Sequence, residues 1–174
     1  MKVDRREGLL EIIWAPWRLS YVSKVGKEEE KGCFICRAVE EHPDRDKDNL
    51  LLYRGEKAVV ILNKFPYNTG HLLVCPVRHT GDFLSLLPEE LAEIDLLIKR
   101  SIKVLKRAYN PDGFNVGLNL GKASGGSVDT HIHYHVVPRW IGDTNFLPVT
   151  AGVKVIPQSL TETYETLKRF WDDD

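Results

Sequence analysis

The sequence predicts an α+β domain in which one long helix lies on a face of an antiparallel sheet. Three observations carry this reading. Three short apolar runs, at 50–53, 58–62 and 71–74, sit between turn-forming residues. From Pro88 to Asn110, apolar side chains recur at spacings of three and four. Between 130 and 139 the chain alternates at period two, with His131, His133 and His135 on one side and Ile132, Tyr134 and Val136 on the other.

Taken in order, the elements are these. Trp14, Trp17 and Arg18 belong to an N-terminal arm too short to form a core of its own, followed by a charged run at 26–31. Cys33-Phe34-Ile35-Cys36 comes next, then a polar loop at 40–49 containing Pro43. The second and third apolar runs are separated by Pro66-Tyr67-Asn68-Thr69-Gly70, a turn sequence, so the three runs read as antiparallel strands. Pro88-Glu89-Glu90 opens the long helix, with proline and acids in its first turn. Leu91, Ile94, Ile98, Ile102 and Leu105 are its expected buried stripe, and Asn110-Pro111-Asp112-Gly113 stops it. A strand over 114–120, a Gly/Ser-rich loop over 121–127, the histidine strand and a short amphipathic helix over 159–171 complete the chain.

The 174 residues suffice for one domain with its own core. A net charge of −1 provides no broad basic field, so polymeric nucleic acid is not an expected partner. No run of 18 apolar residues occurs, which excludes a membrane-spanning helix. Three cysteines are too few for a disulfide framework and fit a reducing cytoplasm. Cys75 reads as core and His42 as solvated.

Three of the six histidines at every second position have no packing rationale. They suit metal binding, or handling of a phosphorus centre by a nitrogen nucleophile. The preceding loop, Gly125-Gly126-Ser127, can bring backbone N–H groups close to a phosphate; in isolation it reads equally well as a plain turn. The Cys33-x-x-Cys36 pair admits three readings: half of a zinc site, a reduced pair of core thiols, or a redox couple.

The His-φ-His-φ-His-φ-φ pattern resembles the signature of the histidine triad (HIT) superfamily of nucleotide hydrolases and transferases. Further segments resemble its bacterial diadenosine tetraphosphate phosphorylase branch. They are Ile13-Trp14-Ala15-Pro16-Trp17-Arg18, Asn63 with Gly70-His71-Leu72-Leu73-Val74, residues 113–121, Gly125-Gly126-Ser127, and Val137-Pro138-Arg139-Trp140. The resemblance implies a HIT-like α+β fold at 33–174: a five-stranded antiparallel sheet with one long and one short helix. Residues 1–32 would form an arm packed on it, and two sheets would join in a homodimer. It also implies that His133 is the nucleophile and that His135 and Ser127 serve the phosphates. Asn63, Asn119, Gly125, Gly126 and Trp140 would contact substrate, and His71 would be structural.

Related proteins with a Cys-x-x-Cys pair imply a structural zinc held by Cys33, Cys36, His79 and His131. In zinc-free members the first triad histidine instead joins the counterpart of His71, so one ring nitrogen of His131 would ligate while the other donates. Magnesium as the substrate's counter-ion is left open. The implied reaction is cleavage of diadenosine tetraphosphate through a nucleotidyl-histidine, with inorganic phosphate as acceptor, giving ADP and ATP. Hydrolase branches carry Gly-Gln-Ser or Gly-Gln-Thr here. This chain has no glutamine in that motif, and Ser127 lies four positions before His131, leaving room for phosphate. Replacing Gly126 with Gln is expected to weaken phosphate use selectively. Two alternatives stand beside this reading: a hydrolase of dinucleoside polyphosphates or nucleoside phosphoramidates, and a zinc-stabilised nucleotide-binding module with vestigial catalysis.

Overall fold

The computed structural model describes residues 32–124, 129–145 and 155–173. Residues 1–31 of the expected arm, with Trp14, Trp17 and Arg18, and Gly125-Gly126-Ser127 therefore lie outside the described residues. The elements are α1 (Phe34–Glu40), β1 (Leu51–Arg54), β2 (Ala58–Leu62), β3 (Leu72–Pro76), α2 (Pro88–Tyr109), β4 (Gly113–Leu118), β5 (Tyr134–Arg139) and α3 (Leu160–Asp172). The strands form one antiparallel sheet in the order β1-β2-β3-β5-β4. This is the expected α+β fold, with a third, short helix among the described residues in a stretch to which the sequence assigns no element.

Period-two alternation divides the sheet's side chains between its faces. Ala58, Val60, Leu62, Leu72, Val74 and Val136 pack beneath α2 and α3 with Ile94, Leu97, Val104, Leu105, Leu167 and Trp171. Leu51, Val59, Ile61, Leu73 and Cys75 pack on the other face against Ile35 and Ala38 of α1. Each fully buried aliphatic side chain contributes about 1.5–3 kcal/mol by leaving water. The long helix is rotated slightly from its expected stripe. Ile94 and Leu105 are buried as expected, but the buried line also takes in Leu97, Ser101 and Val104, with Ile98 and Ile102 flanking it half-buried. A 22-residue helix at 3.6 residues per turn drifts relative to a fixed repeat, so the buried face moves off a strict four-residue row along its length.

Local signals set the ends of these elements. Asn110 closes α2 in the left-handed conformation at φ 45°, which asparagine tolerates. Ser159 and Glu162 form a reciprocal capping box at the start of α3. Gly70 turns the chain into β3 at φ +79°, where a Cβ would lie 2.8 Å from Leu105 Cδ2.

Candidate functional site

The histidine run is only partly a strand. β5 begins at Tyr134, and its ladder with β3 covers Leu72–Val136, Leu73–His135 and Val74–Tyr134. It stops short of Pro76, which has no N–H to give. His131 and His133 lie in the extended lead-in, anchored by Ile132 N–H donating to the Thr80 carbonyl at 2.7 Å. The three imidazoles consequently enter different surroundings.

His135 is paired with Leu73, so it lies on the sheet face turned away from α2. Its tautomer is set by a chain of hydrogen bonds. Tyr67 N–H donates to His71 Nδ1 at 3.1 Å, and the Asn63 amide nitrogen lies 3.2 Å from the same atom. His71 must then carry its proton on Nε2, which donates to His135 Nδ1 at 2.9 Å. His135 is left with a proton on Nε2, a buried atom with no partner among the described residues. Burial, reinforced by the neighbouring triad imidazoles, lowers His71 to about 3 and His135 to about 4, so both rings are neutral near pH 7.

His133 is oriented from its own backbone. Its Nδ1–H donates to the His131 carbonyl at 2.8 Å, which leaves the Nε2 lone pair bare. The ring meets His135 edge-on at 5.0 Å between centroids. A nitrogen lone pair thus stands beside an unpartnered N–H donor, the pairing needed to attack an electrophilic centre while compensating charge on its oxygens.

His131 turns away from this pair. Its Nε2–H donates to the Pro76 carbonyl at 2.8 Å, so Nδ1 is free of hydrogen. That nitrogen lies 3.2 Å from Cys33 Sγ, 3.6 Å from Cys36 Sγ and 3.2 Å from His79 Nδ1. Cys36 Sγ in turn lies 3.2 Å from His79 Nδ1, and the four ligand atoms fall within 4.8 Å of one another. Tetrahedral bonds of 2.0–2.1 Å to nitrogen and 2.3 Å to sulfur give edges of about 3.3–3.8 Å, so this donor set fits one four-coordinate ion with no open position. Burial and the adjacent Cys33 thiol raise Cys36 to about 11, and a divalent cation is what would hold both sulfurs as thiolates. His131 spends its second nitrogen on Pro76, while His71 pairs with His135, so metal ligation and the imidazole chain do not compete.

The elements around this cluster hold it in place. Cys33 and Cys36 lie one turn apart at the start of α1, and Arg54 binds the opposite end of that helix. Its guanidinium donates to the carbonyls of Ala38, Val39 and Glu41 at 2.7–2.9 Å and forks onto Asp46. Arg78, next to His79, forks onto the buried Glu90 carboxylate at the start of α2 and holds it below the usual carboxylate range.

The remaining expected residues separate. A cleft of about 440 Å³ lies on the His135 face, and its lining includes Tyr67, Asn119 and His135. Asn63 stands next to His71, its Oδ1 accepting from Phe65 N–H at 2.9 Å. Trp140 borders a second cavity with Asn68, Tyr109 and residues 155–158. Sequence reading missed Tyr67, whose N–H sets the imidazole chain and whose ring stacks on His135 at 5.8 Å. It also missed the buried Asn68, which donates to the Pro138 carbonyl at 3.0 Å and to Asp143 Oδ2 at 2.7 Å. Both sit in a segment whose composition announces only a turn. No helix among the described residues is long and apolar enough to cross a membrane.

A family model described as "HIT domain" matches residues 44–140. An "AP-4-A phosphorylase" of Mycobacterium tuberculosis is 39% identical over 165 residues, covering 93% of this chain and 85% of that protein. A "Bis(5'-adenosyl)-triphosphatase" of Dictyostelium discoideum is 32% identical over 89 residues, 51% of this chain and 59% of its own length. Among solved structures, a zinc-bound histidine triad family protein from Mycobacterium smegmatis superposes with a TM-score of 0.64 at 28% identity, covering 82% of this chain and 94% of that one. The sheet, the paired His133 and His135, and these likenesses together establish that the chain belongs to the HIT domain family.

Proposed function

We propose that this protein cleaves dinucleoside polyphosphates, diadenosine tetraphosphate foremost, through a nucleotidyl-His133 intermediate with inorganic phosphate as the acceptor. The observation that carries the reading is the bare Nε2 of His133 beside the unpartnered Nε2–H of His135. The likeness to the mycobacterial AP-4-A phosphorylase over most of both chains supports the substrate class.

In the first half-reaction His133 Nε2 attacks the α-phosphorus in line. A nitrogen–phosphorus bond forms, the bond to the bridging oxygen breaks, and ATP leaves. His135 donates its Nε2–H to a phosphate oxygen as charge builds there, and the chain through His71 to Tyr67 N–H keeps that proton on the outward nitrogen. In the second half-reaction an oxygen of inorganic phosphate attacks the same phosphorus. The nitrogen–phosphorus bond breaks, ADP is released and His133 recovers its lone pair. In this reading Ser127, Gly125 and Gly126 contact the phosphate chain, Asn63 the ribose, Asn119 the phosphates and Trp140 the acceptor side.

Cys33, Cys36, His79 and His131 would hold a zinc ion, which supplies a closed structural cross-link and no reaction step. Because the His131 carbonyl receives the His133 Nδ1–H, fixing His131 also fixes the nucleophile. A homodimer joined at β4 is supported by its position at the sheet's edge and by the exposure of Val116 and Leu120.

The test is product analysis after incubation with diadenosine tetraphosphate, with and without millimolar phosphate. ADP plus ATP appearing only with phosphate is expected. AMP plus ATP in both conditions would make water the acceptor and refute phosphorolysis. A His133→Ala variant that still turns over would refute the covalent intermediate. One that binds nucleotide without turnover separates the enzyme from a binding module.

A further inference from the structure

The cleft beside His135 continues well past the reacting groups. Along β5, His135, Val137 and Arg139 share one face, and their partners on β4 are Gly117, Asn115 and Gly113. From His135 to Arg139 is roughly 13 Å of strand. Gly117 has nothing within 4 Å of where a Cβ would project, so β4 lays an open floor from beside His135 as far as the Asn115 side chain. Tyr67 rises as an aromatic wall at the His135 end, 47% exposed.

The chemistry of the far end is specific. Arg139 spends Nε and Nη2 on Asp143, at 2.6 and 2.8 Å, so its charge is compensated. Its Nη1–H donates to Asn115 Oδ1 at 2.6 Å, which fixes the amide's orientation and leaves the Asn115 NH₂ group to donate elsewhere. The result is a neutral, donor-bearing end beyond an uncluttered floor. Such an end is poorly suited to a polyphosphate, which needs uncompensated positive charge. It suits the ring acceptors of a base or the oxygens of a ribose. Asn63, the expected ribose contact of the transferred nucleotide, is not part of this lining.

The geometry points to a subsite for the departing nucleoside: the trough floored by Gly117 and ended by Asn115 and Arg139 receives the half of a dinucleoside polyphosphate that leaves when His133 attacks. Asn115 and Gly117 are then specificity-determining positions that separate dinucleotides from mononucleotides. This rests on the reading of His133 as the nucleophile.

Adenylyl transfer to phosphate is measured from diadenosine tetraphosphate and from adenosine 5′-phosphoramidate, which has no second nucleoside. The wild type is compared with Gly117→Val, which fills the floor, and Asn115→Leu, which removes the amide. Expected is a loss in kcat/KM of at least about tenfold on the dinucleotide in both variants, with the phosphoramidate rate held within about twofold. Unchanged dinucleotide turnover in both variants overturns the subsite, and so does an equal loss on both substrates in both. A wild type active on the phosphoramidate alone overturns it while leaving the nucleophile intact. A wild type inactive on both removes the underlying reading, and the subsite with it.

Discussion

Replacing His71 with Phe tests whether a neutral, buried imidazole organises the site. His71 is fully buried, and burial lowers it to about 3 from an ordinary 6.5. A histidine depressed in this way is neutral in the folded protein and takes up a proton on unfolding below pH 6.5. The stability linked to it is therefore fully present above pH 6.5 and drains away as pH falls toward 3. Each pH unit within that window costs about 1.4 kcal/mol, so wild-type stability falls by about 2.5 kcal/mol between pH 6.5 and 4.5 through His71 alone. His135, lowered to about 4, acts in the same direction but is more open to solvent. Phenylalanine has a similar volume and does not titrate, so that fall is absent from the variant. At pH 7 the variant is less stable by about 2–5 kcal/mol, because Tyr67 N–H and His135 Nδ1 lose their partner. The assay is urea denaturation of both proteins at pH 7.0, 5.5 and 4.5, with the same metal content. The gap between them should narrow by about 2.5 kcal/mol on acidification. A gap that stays constant or widens would refute the argument that His71 is held neutral by its surroundings.

Other outcomes follow from the same geometry. His79→Ala removes one of four ligands and is expected to speed metal release to a chromogenic chelator, with loss of thermal stability only in metal-loaded protein; equal release from variant and wild type would count against the four-residue set. Arg54→Met strips the Ala38, Val39 and Glu41 carbonyls at the end of α1 of their donor and is expected to cost about 1–3 kcal/mol in chemical denaturation, while also accelerating metal release because Cys36 rides on that helix. Ile94→Ala, at the centre of the buried face of α2, should cost about 2–5 kcal/mol without altering metal content.

The order of elements, the antiparallel sheet, the long helix and the triad itself were legible in the residues, because short-range physics writes them into sequence. Turn residues at 66–70, proline and acids at the start of α2, and the period-two histidines each act within a few positions. α1 was not legible: it has seven residues, and a helix that short persists through packing of Ile35 and Ala38 and through Arg54 at its end, not through its own propensity. The three equivalent histidines acquire different tasks only in three dimensions. His131 meets cysteines 95 and 98 positions away, and His135 meets a histidine 64 away. The sequence alone specified which chemical groups this protein possesses and the spacing that ties it to its family. Which nitrogen keeps a lone pair, and which carries a proton, was decided by tertiary structure, because a tautomer is set by what the other side of the ring touches, and here those partners are the Pro76 carbonyl, the His131 carbonyl and the Tyr67 N–H.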